Sequence, residues 1–401
     1  KDSIHHSISL LIYIYFSVKI CVLAKLCNIL RKNCTFVHYL KNRFSMNQNN
    51  YCVIMAGGIG SRFWPLSRVE LPKQFVDALG VGKTFIQLTY ERFARLIPKE
   101  NFLVMTGEGY KDLVLEQLPM LRREQVLTEP CRRNTAPCIA YAMTKLYRRD
   151  PHAVAVVTPS DQYIGNEQAF EQVIADSLEF AGQHDALLTV GITPTYPATG
   201  YGYIQTHSQK DARFTPVLRF KEKPDLRTAV SYLNEGDYYW NSGMFVWSAQ
   251  TIVEALRRYL PEVISQFESV GTTYDTPLEQ AAVNKAFVDS PSISIDYGVM
   301  ERSDRVYVCC TNDLAWSDVG SWGALYGLLT KDEQLNAASG TEQVRFMASD
   351  GNLIKETNLN KKVVIDGLSG FLVADTEDVL MICPLGDENH LKQVIESASK
   401  S

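Results

Sequence analysis

A chain of 401 residues, 46% hydrophobic and 21% charged, reads as globular and is long enough for two domains. The first 45 residues hold seven Lys/Arg and one acidic residue; without them 33 basic and 44 acidic residues remain, a net of −11 that argues against nucleic acid as a partner. Nine cysteines with no C-x-x-C and no regular framework suit reduced thiols in a reducing compartment and give no indication of zinc.

The N-terminal stretch differs in texture from the rest. Ile8 to Leu30 resembles a signal anchor, but Lys19 and Lys25 interrupt it and no small-residue cleavage pattern follows. Met46 stands directly before the first strand, so residues 1–45 are expected to be a leader outside the native fold, with no membrane attachment. Tyr51-Cys52-Val53-Ile54-Met55 is a continuously apolar run ending at glycines, the pattern of a strand buried on both faces of a sheet. It opens onto Gly57, Gly58 and Gly60, whose backbone can approach a ligand closely, followed by Ser61, Arg62 and Lys73 as hydroxyl and cationic partners for phosphate. A dinucleotide fingerprint does not fit, because the run is G-G-x-G-S-R and Pro65 interrupts the helix that should follow. Gly82-Lys83-Thr84 is no Walker loop either, since its first glycine would have to be Asp77. A ligand-free tight turn is the plainer alternative, and the cations and stiffening prolines Pro65 and Pro72 count against it.

Beyond this loop, helices are expected near 84–96, 109–118 and 136–148, and strands near 101–106 and 153–158. Later strands at about 186–191, 201–206, 216–221 and 243–247 alternate with helices near 225–234 and 249–258. The alternation predicts an α/β fold with a mixed, mostly parallel, Rossmann-like sheet covered by helices on both faces, with ligands at the carboxyl ends of the strands. After about residue 335, short apolar runs separated by Asp-Gly and Ser-Gly turns predict a small β domain, 336–401, closed by a helix near 387–398; the catalytic domain spans 46–335.

Gly57-Gly58-x-Gly60-x-Arg62-x-x-Pro65-Leu66-Ser67 followed by Pro72-Lys73-Gln74 resembles the signature of sugar-phosphate nucleotidyltransferases, and Pro72-Lys73-Gln74-Phe75 that of mannose-1-phosphate guanylyltransferases. The ordered blocks TEPCRRNTAPCIA, TPSDQ, TGYGYI, RFKEKP, WNSGMF, SIDYGVME and WSDVGSW extend the resemblance over about residues 50–395. It implies transfer of GMP from GTP to mannose 1-phosphate with Mg²⁺, giving GDP-mannose and pyrophosphate, in a cytoplasmic homodimer that makes contacts through a left-handed β-helix-like C-terminal piece. Uridylyl or thymidylyl transfer to a glucose-type phosphate, and a silent nucleotide-sugar sensor on the same fold, are the alternatives.

Such a reaction needs no strong general base, because its nucleophile is already an anion; the task is to bring two polyanions in line and stabilise the leaving group. Asp161, at the end of the apolar run Val154–Val157, and Asp318 are the candidate ligands of a shared Mg²⁺, although a lone Asp beside Pro or Gly is ordinarily a turn former. Gln162 stands where relatives commonly show histidine and cannot titrate. The resemblance assigns Arg62, Lys73 and Lys223 to catalysis. It places Ala56, Gly57, Gly58, Gly60, Ser61, Glu129, Asn134 and Thr135 at the nucleotide, and Gly200, Tyr201, Gly202, Glu222, Lys223, Asn241, Gly243 and Asp296 at the sugar phosphate. Helix capping is the plainer reading of Asn134, surface solvation that of Lys223, and an ordinary hairpin that of the segment around Asn241.

Overall fold

The computed structural model describes residues 47–58, 60–207 and 213–398. The expected leader, residues 1–45, lies outside them. All elements below belong to Gln48–Ser401, one of the two units into which the chain divides.

The strands are β1 (Asn50–Met55), β2 (Phe102–Gly107), β3 (Val126–Glu129), β4 (Val154–Pro159), β5 (Tyr163–Ile164), β6 (Leu187–Ile192), β7 (Tyr203–Thr206), β8 (Phe214–Lys221), β9 (Tyr238–Ser248), β10 (Val306–Thr311) and β11 (Trp316–Ser317). Nine of them form one sheet in the order β3-β2-β1-β4-β9-β6-β10-β8-β7, while β5 and β11 pair separately. Alternate residues of β1 feed opposite cores. Tyr51 and Val53 pack with helices Thr135–Arg149, Ala249–Tyr259, Pro261–Ser269 and Glu279–Asp289 on one face. Cys52 and Ile54 pack with helices Phe85–Phe93, Glu167–Gln183 and Leu226–Glu235 on the other. A strand buried on both sides must be apolar at every position, which is why its alternation is lost.

The sheet is α/β, doubly covered and mixed, as expected, but fewer than half of its strand pairings are parallel. Four pairings are parallel, β3-β2, β2-β1, β1-β4 and β6-β10. Five are antiparallel, and the reversals are made by β9, which enters between β4 and β6 against the direction of both, and by β8, which runs against β10 and β7. Hydrophobic periodicity reports which residues are buried and carries no information on strand direction, so the sequence could not show this. The 17-residue helix Glu167–Gln183 also fell where no element was expected; it buries Phe170, Val173, Ile174, Ser177, Leu178 and Ala181 at helical spacing. Helix ends follow local chemistry. Asn166, Asp225, Ser248 and Ser321 each accept a backbone N–H at a helix start, and Thr84 forms a capping box with Gln87. Among the described residues no helix is long and apolar enough to cross a membrane.

Further on come β12 (Ala337–Ser339), β13 (Val344–Met347), β14 (Leu353–Glu356), β15 (Val363–Asp366), β16 (Phe371–Asp375) and β17 (Leu380–Pro384), then helix Glu388–Ala398. Successive strands alternate between two ladders: β12, β14 and β16 are parallel neighbours with β17 antiparallel at the edge, and β13 is parallel to β15. This segment shares a third core with the loop that follows β1. Phe63, Leu66, Val76, Ala78 and Phe85 pack with Trp322, Leu353, Leu372, Met381 and Cys383. Polar ties join the same two regions: Arg68 donates to Asp378, Lys355 Nζ donates to Asp77 O at 2.7 Å, and Ser339 Oγ donates to Ala78 O at 3.0 Å.

Trp322 is the largest side chain of this third core that is fully enclosed; its ring centroid lies 5.1 Å from that of Phe63 and its Nε1 donates to Trp64 O at 3.3 Å. Trp322→Ala is expected to lower unfolding stability by about 3–5 kcal/mol, the range for a deleted buried aromatic ring. Urea unfolding checks it, and a loss below about 1 kcal/mol would mean that the ring does not hold the two segments together.

Candidate active site

Parallel pairing of β3, β2, β1 and β4 brings their carboxyl ends to one edge of the sheet. At that edge lie Glu129 as the last residue of β3, the glycine loop after β1 and Asp161 after β4. The loop is pinned from behind by the Pro72-Lys73-Gln74 segment. Gln74 Nε2 donates to Ala56 O at 2.8 Å and Gly58 O at 3.0 Å, and Ser67 Oγ donates to Gly60 O at 2.5 Å. Gly60 has φ 65°, and a β-carbon there would lie 2.3 Å from Lys73 Cβ, so both the turn and the approach of the lysine require glycine. Ser61, Arg62 and Phe63 form a short 3₁₀ turn with Arg62 exposed.

A solvent-open pocket of about 190 Å³ is lined by Gly60, Arg62, Phe63, Lys73, Pro159, Asp161, Gln162, Asp318 and Gly320. The two aspartates, distant in sequence, therefore meet beside the glycine loop. Lys73 joins them: its Nζ donates to Asp161 Oδ2 at 3.0 Å, Asp161 O at 3.1 Å and Asp318 O at 3.0 Å. Only 3% of Lys73 is exposed, beneath the rings of Phe63 and Phe85. Asp318 Oδ1 accepts from Tyr201 Oη at 2.7 Å and from Gly320 N at 3.0 Å. A β-carbon at Gly320 would fall 2.6 Å from Asp318 Oδ2, so the glycine leaves that second oxygen uncovered. Uncovered carboxylate oxygens are hard ligands of the kind Mg²⁺ takes, and these two residues fit such an ion. Among the described residues no group of three or more His, Cys, Asp or Glu could hold a metal alone, so its remaining ligands would have to be water or substrate phosphate.

Gln162 links the pocket to β9. It accepts from Trp316 Nε1 at 3.0 Å and donates through Nε2 to Ser242 O. An amide presents an accepting oxygen and a donating nitrogen in fixed orientation, and each makes one of these bonds. A second polar group lies along β7–β9. A β-carbon at Gly202 would fall 2.4 Å from Glu222 Oε2 and 3.3 Å from Asn241 Cβ, so this glycine marks where the two segments converge. Asn241 accepts from Thr189 Oγ1 at 2.9 Å and Gly243 N at 3.1 Å, and donates to Asp296 Oδ1 at 2.9 Å. Burial, then the charge of Glu222, pushes the Asp296 carboxyl up to about 6. Lys223 has φ 45°, is largely exposed, and pairs with Glu222 at 3.1 Å. Gly200 is exposed at the tip of the preceding bend.

Glu129, Asn134 and Thr135 stand outside the lining of the pocket. Burial raises the Glu129 carboxyl to about 7, against the lowering effect of Cys138 and Arg132. Asn134 (φ 64°) occupies the helix N-cap, so its capping reading holds. Thr135 Oγ1 accepts from Ile295 N at 2.9 Å, which stitches this segment to the turn carrying Asp296. Tyr201, expected at the sugar, donates its hydroxyl to Asp318; burial, then that carboxylate, pushes the phenol well above its ordinary range. Gln74 and Gly320 had no role assigned from sequence. Their motif positions were the available signal, but their partners are formed only by folding.

Two polar centres at one sheet edge, one built on paired carboxylates beside a glycine loop, can be set against proteins already known. The family model described as Nucleotidyl transferase matches residues 51–334. Mannose-1-phosphate guanylyltransferase of Escherichia coli (strain K12) is 36% identical over 356 residues, covering 86% of this chain and 73% of that protein. This chain belongs to the mannose-1-phosphate guanylyltransferase group of the nucleotidyl transferase family. The Xanthan biosynthesis protein XanB of Xanthomonas campestris pv. campestris (strain B100) is likewise 36% identical, over 87% of this chain and 72% of its own length. A crystal structure from Thermus thermophilus, described as mannose-1-phosphate geranyltransferase, superposes with a TM-score of 0.77 at 30% identity over 88% of this chain and 99% of that one. The fold is therefore that of a nucleotidyltransferase, and the chain is an enzyme of that class.

Two outcomes follow from the geometry. Tyr201→Phe removes one of two donors to Asp318 Oδ1, a charged acceptor, and is expected to lower kcat/KM by about 10- to 100-fold, the equivalent of 1.5–3 kcal/mol. Steady-state kinetics against the wild type checks it, and an unchanged kcat/KM would show that Asp318 needs no such support. Asp296 is ionised above about pH 6 and protonated below it, so it loses acceptor capacity as pH falls through that value. The kcat/KM for the acceptor substrate should fall on that acid limb, and Asp296→Asn should flatten the limb at a lower plateau in a pH–rate profile.

Proposed function

We propose that this protein transfers GMP from GTP to α-D-mannose 1-phosphate, releasing pyrophosphate and forming GDP-mannose. The observation that carries the reading is the convergence of Asp161 and Asp318 in one pocket with Arg62 and the glycine loop. In this reading backbone N–H groups of Gly57, Gly58, Gly60 and Ser61 and the exposed guanidinium of Arg62 receive the triphosphate, with Ala56 at the base of the loop and Glu129, Asn134 and Thr135 on the nucleoside side. Glu222, Asn241 and Asp296 receive sugar hydroxyls, Gly200 to Gly202 and Gly243 give the ring room, and Lys223 takes the acceptor phosphate. Asp161 and Asp318 would hold Mg²⁺, which supplies charge neutralisation at the reacting phosphates. The acceptor phosphate is already anionic, so no side chain has to remove a proton from it; positioning and charge are what the residues contribute.

The same reading takes residues 46–335 as the catalytic domain and 336–401 as a small β domain, a left-handed β-helix-like piece through which a homodimer forms. Alternation of the strands between two parallel ladders supports the β-helix-like form. We place the protein in the cytoplasm, with neither membrane nor nucleic acid as a partner.

Pyrophosphate release measured across four nucleoside triphosphates and several sugar 1-phosphates tests the reaction. GTP with mannose 1-phosphate should be the preferred pair, with strict dependence on a divalent cation. Asp161→Ala should lower kcat by at least about 100-fold, the scale expected on losing a principal electrostatic contact. Preference for UTP or dTTP with glucose 1-phosphate would move the assignment to that branch, and binding without turnover would mark a sensor.

A further inference from the structure

Strand β9 leaves its regular ladder where it passes the site. Thr189 pairs with Phe245 and Gly191 with Asn241, so Ser242, Gly243 and Met244 stand opposite Val190 alone and form a bulge. Gly243 makes the turn with φ 74°. A bulge takes backbone groups out of the ladder, and those that are buried need other partners. Ser242 Oγ meets two of them, donating to Val190 O at 2.7 Å and accepting from Met244 N at 3.2 Å, while Asn241 Oδ1 accepts from Gly243 N at 3.1 Å. The Ser242 carbonyl accepts from Gln162 Nε2. The orientation of that amide is dictated at both ends. Trp316 Nε1 can only donate, so the Gln162 oxygen must face it, and the nitrogen is thereby turned to a carbonyl that can only accept. Both residues are buried, Gln162 at 7% and Ser242 at 2% exposure.

We propose that Gln162 is a positioning residue for the sugar end of the site: by holding the bulge it fixes the direction in which Asn241 presents its amide to the acceptor, and so sets discrimination between epimeric sugar phosphates. Asn241 is clamped between two backbone hydrogen bonds, its own N–H to Gly202 O at 2.8 Å and the carbonyl of the next residue to Gln162. Its side-chain oxygen is bonded to the bulge itself, through Gly243 N, so a displaced bulge turns the amide. A site built to pair a substrate hydroxyl rejects one that is misplaced, because its own buried groups are then left unpaired. The proposal rests on reading Asn241 as a sugar ligand in guanylyl transfer. It also separates two roles for a residue adjacent to Asp161: one confined to the metal would lower transfer to every acceptor alike, whereas one acting through the bulge separates acceptors.

The test compares kcat/KM of the full chain for mannose 1-phosphate and glucose 1-phosphate, which differ in configuration at C2, at saturating GTP and Mg²⁺. Gln162→Met keeps the length of the side chain and removes both hydrogen bonds. Ser242→Ala removes the hydroxyl clamp within the bulge and leaves Gln162 in place, and circular dichroism reports whether each variant folds. The preference of the wild type for one epimer should shrink by at least about fivefold, the lower end for a buried polar group left unpaired, while the KM for GTP stays within about twofold. Gln162→Met decides where it folds, and Ser242→Ala decides where it does not. A smaller change in preference, or an equal loss on both sugars, overturns the proposal. Failure of the wild type to transfer GMP to either sugar phosphate would instead remove the reading of the reaction and of Asn241, a separate outcome from failure of the role given to Gln162.

Discussion

A buried ammonium must find partners, and the fold supplies them from two places 88 and 245 residues away in sequence. Lys73 lies on the segment after the glycine loop, Asp161 follows β4, and Asp318 follows β11. Satisfying one cation therefore closes the sheet edge, the glycine loop and the Trp316–Gly320 turn around a common point. Gln74, the next residue, bonds the carbonyls of Ala56 and Gly58, so the same short turn sets the loop and the acidic pair together. Much of the pocket's preorganisation comes from these two side chains, and preorganised polar groups are what transfer between polyanions requires.

The pocket is supported from outside the main sheet as well. The loop from Phe63 to Ala78 has little sheet to lean on and packs against the strands and helix that follow Asp318. Lys355 and Ser339 satisfy the carbonyls of Asp77 and Ala78, groups that a loop buried in this way would otherwise leave unpaired. Two backbone positions beside candidate site carboxylates take positive φ. Val319, β-branched, fully buried and adjacent to Asp318, has φ 46°, and Lys223 beside Glu222 has φ 45°. Such conformations are costly for residues with a β-carbon and persist where surrounding contacts over-determine them. Here each turns the chain directly after a carboxylate, Asp318 and Glu222.

Much of the local structure was legible. The apolar run Tyr51–Met55, the helix beginning at Thr135 after its Asn cap, and the Asp-Gly and Ser-Gly turns of the last strands all declare themselves through short-range chemistry. Less legible were β10 and the helix Glu167–Gln183, which were not foreseen. The direction of β9 was beyond reach, because a buried strand has the same pattern whichever way it runs. The site behaved similarly. Asp161, Asp318, Arg62 and Lys73 were recognisable as a set, whereas the hydrogen bond from Tyr201 to Asp318 and the bridge through Gln162 to Trp316 and Ser242 were not.

What the sequence determined by itself was chemistry carried in short motifs: a glycine turn followed by cations, carboxylates at strand ends, and the family to which their order belongs. Those features depend on neighbours a few positions apart, where dihedral preference and side-chain type suffice. Tertiary structure alone decided which atom faces which. It committed the Lys73 ammonium to two aspartate segments, turned Tyr201 toward Asp318 and left one oxygen of that carboxylate open above Gly320. Contacts between residues hundreds of positions apart arise from the packing of the whole sheet, and no local preference encodes them.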